Sequence, residues 1–258
     1  VKLLTLARDL QRRKARERTR KFVAEGVRTV ESLLNSPLTV TGILAAQSLG
    51  GDDRGLAILA RARQNDIPVL QVSDGDFASA ASTDTPQGVL AIGDMPDTTL
   101  AAPDQWARYL VLDGVQDPGN VGTVIRTAAA FGVTASICLP GTVDVWNAKV
   151  VRSAMGTLFS HSVVSLSVLA LQAFLRDHKV DCWAADTEGD PLGALVLVQP
   201  ERLALVVSNE GAGLSPDVAG LATKRVSISM AAGVESLNVA VATGILLQAL
   251  RQQAADVP

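Results

Sequence analysis

Three glycine-bearing stretches collect the residues best suited to chemistry. The first, 113-DGVQDPGNVGTVIRTAAAFGV-133, sets Asn120 and then Arg126 on an apolar run behind a turn of Asp, Pro and Gly. The second, 206-VVSNEGAGLSP-216, puts an amide and a carboxylate, Asn209 and Glu210, directly after an apolar strand, where Gly211 and Gly213 let a backbone approach a ligand closely. The third, 228-ISMAAGVESLNVAVATGILL-247, carries Ser236 and Asn238 in what reads as the first turn of a long apolar helix. Such groups offer recognition of an anion by the guanidinium and hydrogen bonding by the amides and the carboxylate. Standing among Val124, Ile125, Ala128 and Ala129, Arg126 is either a snorkelling surface arginine or a group aimed at an anion. The first stretch is not a dinucleotide fingerprint, because G-x-G-x-x-G is absent and no acidic residue ends a following strand.

Positioning these loops requires strands that end at one edge. Apolar runs at 108–115, 134–140, 161–166, 180–186, 203–209 and 225–229 read as strands, with helices near 145–156, over 168–178 and over 236–253. Strands separated by crossover helices predict a parallel sheet covered on both faces, and ligands of such sheets bind beyond the carboxyl ends of the strands. Upstream, a smaller α/β unit is predicted, with a helix over 23–36, strands at 38–46, 68–73 and 87–95, and helices at 54–66 and 74–82. The division is therefore 1–95, a linker at 96–107, and 108–258.

Of 258 residues, 48% are hydrophobic and 3% aromatic, so the core must be built from Ala, Val, Leu and Ile. No apolar segment approaches the roughly 18 residues that span a bilayer, and the N-terminus is charged, which points to a cytoplasmic protein without a membrane partner. Cys138 and Cys182 lie in apolar runs without metal spacing and read as buried free thiols; with His161 and His178 they make no metal cluster. The net charge of −3 hides an asymmetry, since residues 1–30 hold ten Lys or Arg against three acids. That basic arm is either a contact for a polyanion or a solvated helix.

Together the three stretches resemble the motifs of the SpoU (TrmH-type) RNA 2′-O-ribose methyltransferases of the SPOUT superfamily, over roughly Tyr109 to Gln252. Asn120 and Arg126 match N-x-G-x-x-x-R, Asn209 to Leu214 match N-E-G-x-G-L, and Ser236 to Asn238 match S-L-N. The segments 22-FVAEGVRTVESLL-34 and 83-TDTPQGVLAI-92 resemble an L30e-like RNA-binding domain. The resemblance implies a deep trefoil knot, which generic topology rules forbid, and a homodimer whose active site is completed across the interface. It also implies S-adenosylmethionine bound at Ser208, Asn209, Gly211, Ile228, Met230 and Leu237. Catalysis would fall to Arg126, with Asn120, Glu210, Ser236 and Asn238 orienting it and the ribose. A guanidinium is a poor general base, so Arg126 is expected to hold the adjacent phosphate and the developing 2′-oxyanion, acting as base only in a pocket that depresses its pKa. The chain departs from many relatives at Ser229 and Ala240, where they carry Pro and Ser. The expected substrate is structured RNA, 23S ribosomal rather than transfer RNA, and not DNA. The alternatives are a tRNA 2′-O-methyltransferase and a non-catalytic knotted RNA-binding or ribosome-assembly protein.

Overall fold

The computed structural model describes residues 2–51, 53–195, 199–209 and 211–251. They fall into two compact units: Val1–Asp97 with Asp144–Ser160, and Thr98–Val143 with His161–Pro258.

The chain opens with helices α1 (Lys2–Asp9) and α2 (Arg13–Thr19), then β1 (Lys21–Glu25), α3 (Val27–Leu34), β2 (Val40–Ala46), α4 (Asp53–Gln64), β3 (Val69–Val72), α5 (Asp74–Ala78) and β4 (Val89–Asp94). The sheet order is β1-β4-β2-β3, with β4 antiparallel to both neighbours and β2 parallel to β3. The helix predicted over 23–36 divides here. Phe22, Val23 and Ala24 are buried in succession, as a covered strand requires, and Gly26 at φ +94° turns the chain before α3 begins. A Cβ at Gly26 would also sit 2.9 Å from the Gln87 side chain.

The basic arm is partly docked rather than uniformly solvated. Ala7 and Leu10 are buried against the β2–β4 sheet, and Arg8 pairs with Asp76 at 2.8 Å. Arg16 is 4% exposed and donates to Asp144 Oδ2 at 2.6 and 2.9 Å and to the carbonyls of Leu10 and Gln11. Lys14 and Arg18 remain exposed.

The second unit begins with β5 (Ala107–Asp113), α6 (Pro118–Ala130) and β6 (Ala135–Cys138). The following α7 (Ala148–Ser153) packs on β1 and belongs with the first unit. Then come β7 (Val163–Ser165), α8 (Val168–His178), β8 (Asp181–Pro191), α9 (Leu192–Leu195), β9 (Arg202–Ser208), α10 (Pro216–Ala219), β10 (Lys224–Ser227) and α11 (Val239–Arg251). All pairings in the six-stranded sheet β10-β8-β9-β5-β6-β7 are parallel. Its inner strands are continuous apolar runs, Leu110–Leu112 and Leu203–Val207, because helices cover both faces and neither face can be polar. Cys138 and Cys182 are buried, and burial first, then Asp181, pushes Cys182 up to about 12, so its thiol stays protonated and unreactive. No helix among the described residues is long and apolar enough to cross a membrane.

Candidate active site at the carboxyl ends of the parallel strands

The three glycine-bearing loops leave β5, β9 and β10, which end on the same side of the parallel sheet. Beyond β5, Asp117 caps α6 by accepting from Asn120 N at 2.8 Å, and Pro118 fills the first helical position. Gly119 and Gly122 therefore lie inside the helix. Arg126 projects from an exposed flank of α6, about 120° round the helix from Asn120 at 100° per residue.

Beyond β9, the chain folds into a tight loop. Gly213 N donates to Asn209 O and Gly211 N to Asn209 Oδ1, both at 2.9 Å, with Gly213 at φ +66°. The Asn209 side chain thus closes its own loop. A second anchor is Asp113, 5% exposed at the end of β5, whose Oδ2 accepts from Ser215 N at 2.7 Å. Glu210 lies outside the described residues.

Beyond β10, residues 228–238 form neither helix nor strand. The helix predicted from 236 starts instead at Val239, because Gly233 at φ +86° turns the chain and Asn238 takes the capping position. Asn238 Oδ1 accepts from Ala240 N at 3.0 Å, and its Nδ2 donates to Asn120 Oδ1 at 3.0 Å. The cap reads the backbone of residue 240, so Ala240 serves it without a hydroxyl.

These loops enclose a pocket of about 210 Å³. Of the residues singled out in the sequence, Ser208, Asn209, Ile228, Met230, Ser236 and Leu237 line it, whereas Gly211, Asn120, Arg126 and Asn238 do not. Exposed Ser229 stays outside it. The walls are apolar, from Val207, Leu214, Val226 and Leu246. Two polar lining residues escaped the sequence reading, Asp186 and Thr187. They enter because the β8–β10 register jumps: Arg225 pairs with Ala184 but Val226 with Asp190, which bulges the intervening residues out of the ladder. Asp186 is held by Arg225 at 3.0 Å. A carboxylate closing the apolar run 180–186 was the available signal.

The donor set fits an adenosine-bearing cofactor. Apolar walls suit a purine, and the backbone groups of Ile228, Ser229 and Met230 enter no helix, strand or turn hydrogen bond among the described residues, leaving them for a base edge. Ser208, Ser236 and Asp186 add polar groups for a ribose and an amino-acid tail. No cluster of three or more His, Cys, Asp or Glu that could hold a metal ion occurs among the described residues.

This is the architecture of a cofactor-dependent α/β transferase. Residues 107–248 match the SpoU rRNA Methylase family and residues 4–91 the MRM3-like substrate binding domain, and the chain belongs to the SpoU rRNA Methylase family. It is 34% identical to the 23S rRNA (guanosine(2553)-2′-O)-methyltransferase RlmP of Bacillus subtilis (strain 168), across 95% of this chain and 94% of that one. It is 33% identical to the 23S rRNA (guanosine-2′-O-)-methyltransferase RlmB of Escherichia coli (strain K12), across 79% and 88%. The crystal structure of AdoMet-bound rRNA methyltransferase from Sinorhizobium meliloti superposes with a TM-score of 0.84 at 28% identity, covering 97% of this chain and 94% of that chain.

Proposed function

We propose that this chain transfers a methyl group from S-adenosylmethionine to a ribose 2′-hydroxyl of 23S ribosomal RNA. The observation that carries the reading is the pocket of Ser208, Ile228, Met230 and Leu237, within a chain whose relatives are named as 23S rRNA 2′-O-methyltransferases. When bound, S-adenosylmethionine supplies a methyl group activated by its sulfonium.

The chain's own residues do the rest. Apolar walls and the backbone of Ile228–Met230 hold and orient the cofactor while excluding water. The Asn120–Asn238 hydrogen bond fixes the cofactor loop against α6. With the cofactor bound, the 2′-oxygen would displace the neutral thioether from the methyl carbon, the carbon–sulfur bond breaking as the carbon–oxygen bond forms and the hydroxyl proton passing to solvent; Arg126 would stabilise the developing oxyanion and hold the adjacent phosphate. Glu210, Ser236 and Asn238 orient the ribose by hydrogen bonds. Gly211 shapes the loop through its backbone bond to Asn209.

The reading extends to architecture. Residues 1–95 act as an L30e-like substrate domain, 96–107 as linker and 108–258 as the methyltransferase domain with a deep trefoil knot. The active site is completed in a homodimer, supported by exposed Arg126 and by Val241 and Ile245, 52% and 41% exposed on one side of α11. The protein works in the cytoplasm, where its substrate is made. Lys14 and Arg18 on α2 supply cations for RNA phosphate.

The test is transfer from labelled S-adenosylmethionine to 23S rRNA, read as a single linkage resistant to alkaline cleavage. Label on transfer RNA alone would correct the substrate. No transfer to any RNA by a chain that binds the cofactor and RNA would favour the non-catalytic alternative.

A further inference from the structure

Among the described residues, one formal charge stands on the wall of the cofactor pocket, that of Asp186. Its neighbours there are apolar or neutral, Val226, Ile228 and Leu237 beside Ser208 and Ser236. Glu188 and Glu235, close by in sequence, are exposed and stay outside the lining.

The carboxylate is brought to the wall by the register break and fixed there. Residues 185–189 leave the β8–β10 ladder between the pairings of Ala184 with Arg225 and of Asp190 with Val226. The chain returns at Gly189, whose carbonyl accepts from Ser227 Oγ at 2.7 Å and where a Cβ would lie 2.6 Å from backbone atoms of Arg225 and Val226. Glycine alone lets the bulge close this tightly on β10. Inside the bulge, Asp186 Oδ1 accepts from Glu188 N at 3.1 Å and Oδ2 from the Arg225 guanidinium at 3.0 Å.

This ion pair is lopsided. The Asp186 side chain is 21% exposed and that of Arg225 50%, and Arg225 does not line the pocket, so water screens the cation more than the anion. The pocket therefore meets the negative end of the pair. Both carboxylate oxygens already accept a hydrogen bond, which leaves the ribose and tail of a cofactor to neutral groups such as Ser208 and Ser236. A sulfonium has no N–H or O–H to donate and is recognised by charge alone. Asp186 can supply that charge without giving up either bond.

We propose that Asp186 distinguishes the methyl donor from the spent cofactor, strengthening binding while the sulfur is a sulfonium and ceasing to do so once it is a neutral thioether. The inference rests on the methyltransferase reading above and assigns it a specificity residue. Methyl transfer leaves the electron pair of the broken carbon–sulfur bond on sulfur and removes its positive charge. The attraction that retains the donor is thus absent from the product, and exchange is biased toward a fresh donor.

The experiment titrates the full chain at equilibrium with S-adenosylmethionine and with S-adenosylhomocysteine, without RNA or turnover, and reads the ratio of the two affinities. Asp186→Asn should lower the preference for the sulfonium on the order of tenfold, the scale of a unit-charge interaction near a protein surface. Arg225→Gln, which removes the counter-charge, should raise it. The opposite signs are decisive, because an ion pair that merely held the bulge would, broken from either side, weaken both ligands alike. A ratio unmoved in both variants overturns the proposal. 5′-Methylthioadenosine, with the ribose but neither sulfonium nor tail, should bind Asp186→Asn like the unaltered chain; lost affinity would give Asp186 to the ribose and overturn it too. Should Asp186→Asn not fold, the sign of the change in Arg225→Gln decides by itself. If the unaltered chain binds neither the donor nor the product, the cofactor reading itself fails, whereas good binding of both with an unmoved ratio removes only the role of Asp186.

Discussion

Asn238 donates through Nδ2 to Asn120 Oδ1 at 3.0 Å while its own Oδ1 accepts from Ala240 N at 3.0 Å. One side chain therefore caps α11 and ties that cap to the first turn of α6. Asn238→Ala should cost about 1 kcal/mol, the usual worth of an N-cap, and slow methyl transfer by loosening the loop that ends at Leu237. Asn120→Ala should leave the cap intact and lose only the tie. Urea denaturation and single-turnover transfer on both single variants and the double variant will separate the two effects. Additive losses would deny the coupling.

Arg126 sits on an exposed flank of α6, so Arg126→Ala should change stability by no more than about 0.5 kcal/mol. Transfer should nevertheless fall by about 10²-fold, the scale of losing an oxyanion-stabilising donor. The measurement is transfer to 23S rRNA beside cofactor affinity, which should not move. A variant that retains full transfer removes Arg126 from the chemistry.

Arginines in the N-terminal arm should divide into two kinds. Arg16 is buried against Asp144, so Arg16→Ala leaves a carboxylate without its cation and should destabilise by about 3 kcal/mol in a denaturant melt. Lys14→Gln with Arg18→Gln should leave the melt unchanged, weaken RNA binding and flatten its salt dependence.

Acid stability carries a signature of His161. Its Nε2 lies 2.9 Å from the Oγ of fully buried Ser136, and burial lowers its pKa below the ordinary 6.5. The unfolded chain then takes up a proton before the folded one does. Stability from this group is present above about pH 6.5 and is lost as pH falls through the depressed folded value. Melting temperatures between pH 7.5 and 5 should decline, and His161→Gln should decline less. Equal slopes would discount the group.

The strands of the parallel sheet were legible because burial on both faces writes itself as unbroken apolar runs, as at Leu203–Val207. The pocket loops were legible as glycines and polar residues at the ends of those runs. At β1 and α3 the sequence misled: Val23, Val27 and Val30 have helical spacing, yet Gly26 at φ +94° divides them and Val23 joins a strand. Asp186 and Thr187 entered the pocket through a register jump, a property of strand pairing that a single strand does not encode. The Asp113 to Ser215 bond joins residues 102 positions apart, and nothing local announces it.

The segment Asp144–Ser160 has a practical consequence for anyone exchanging parts among relatives. Trp146 and Phe159 lie 4.5 and 5.6 Å, centroid to centroid, from Phe22, and Asp144 neutralises Arg16. A fragment cut after Asp97 would uncover an aromatic ring and strand a buried cation. The N-terminal half is thus not a cassette that one splice can transplant; a working chimera needs three junctions and must carry this distant strip of sequence along with it.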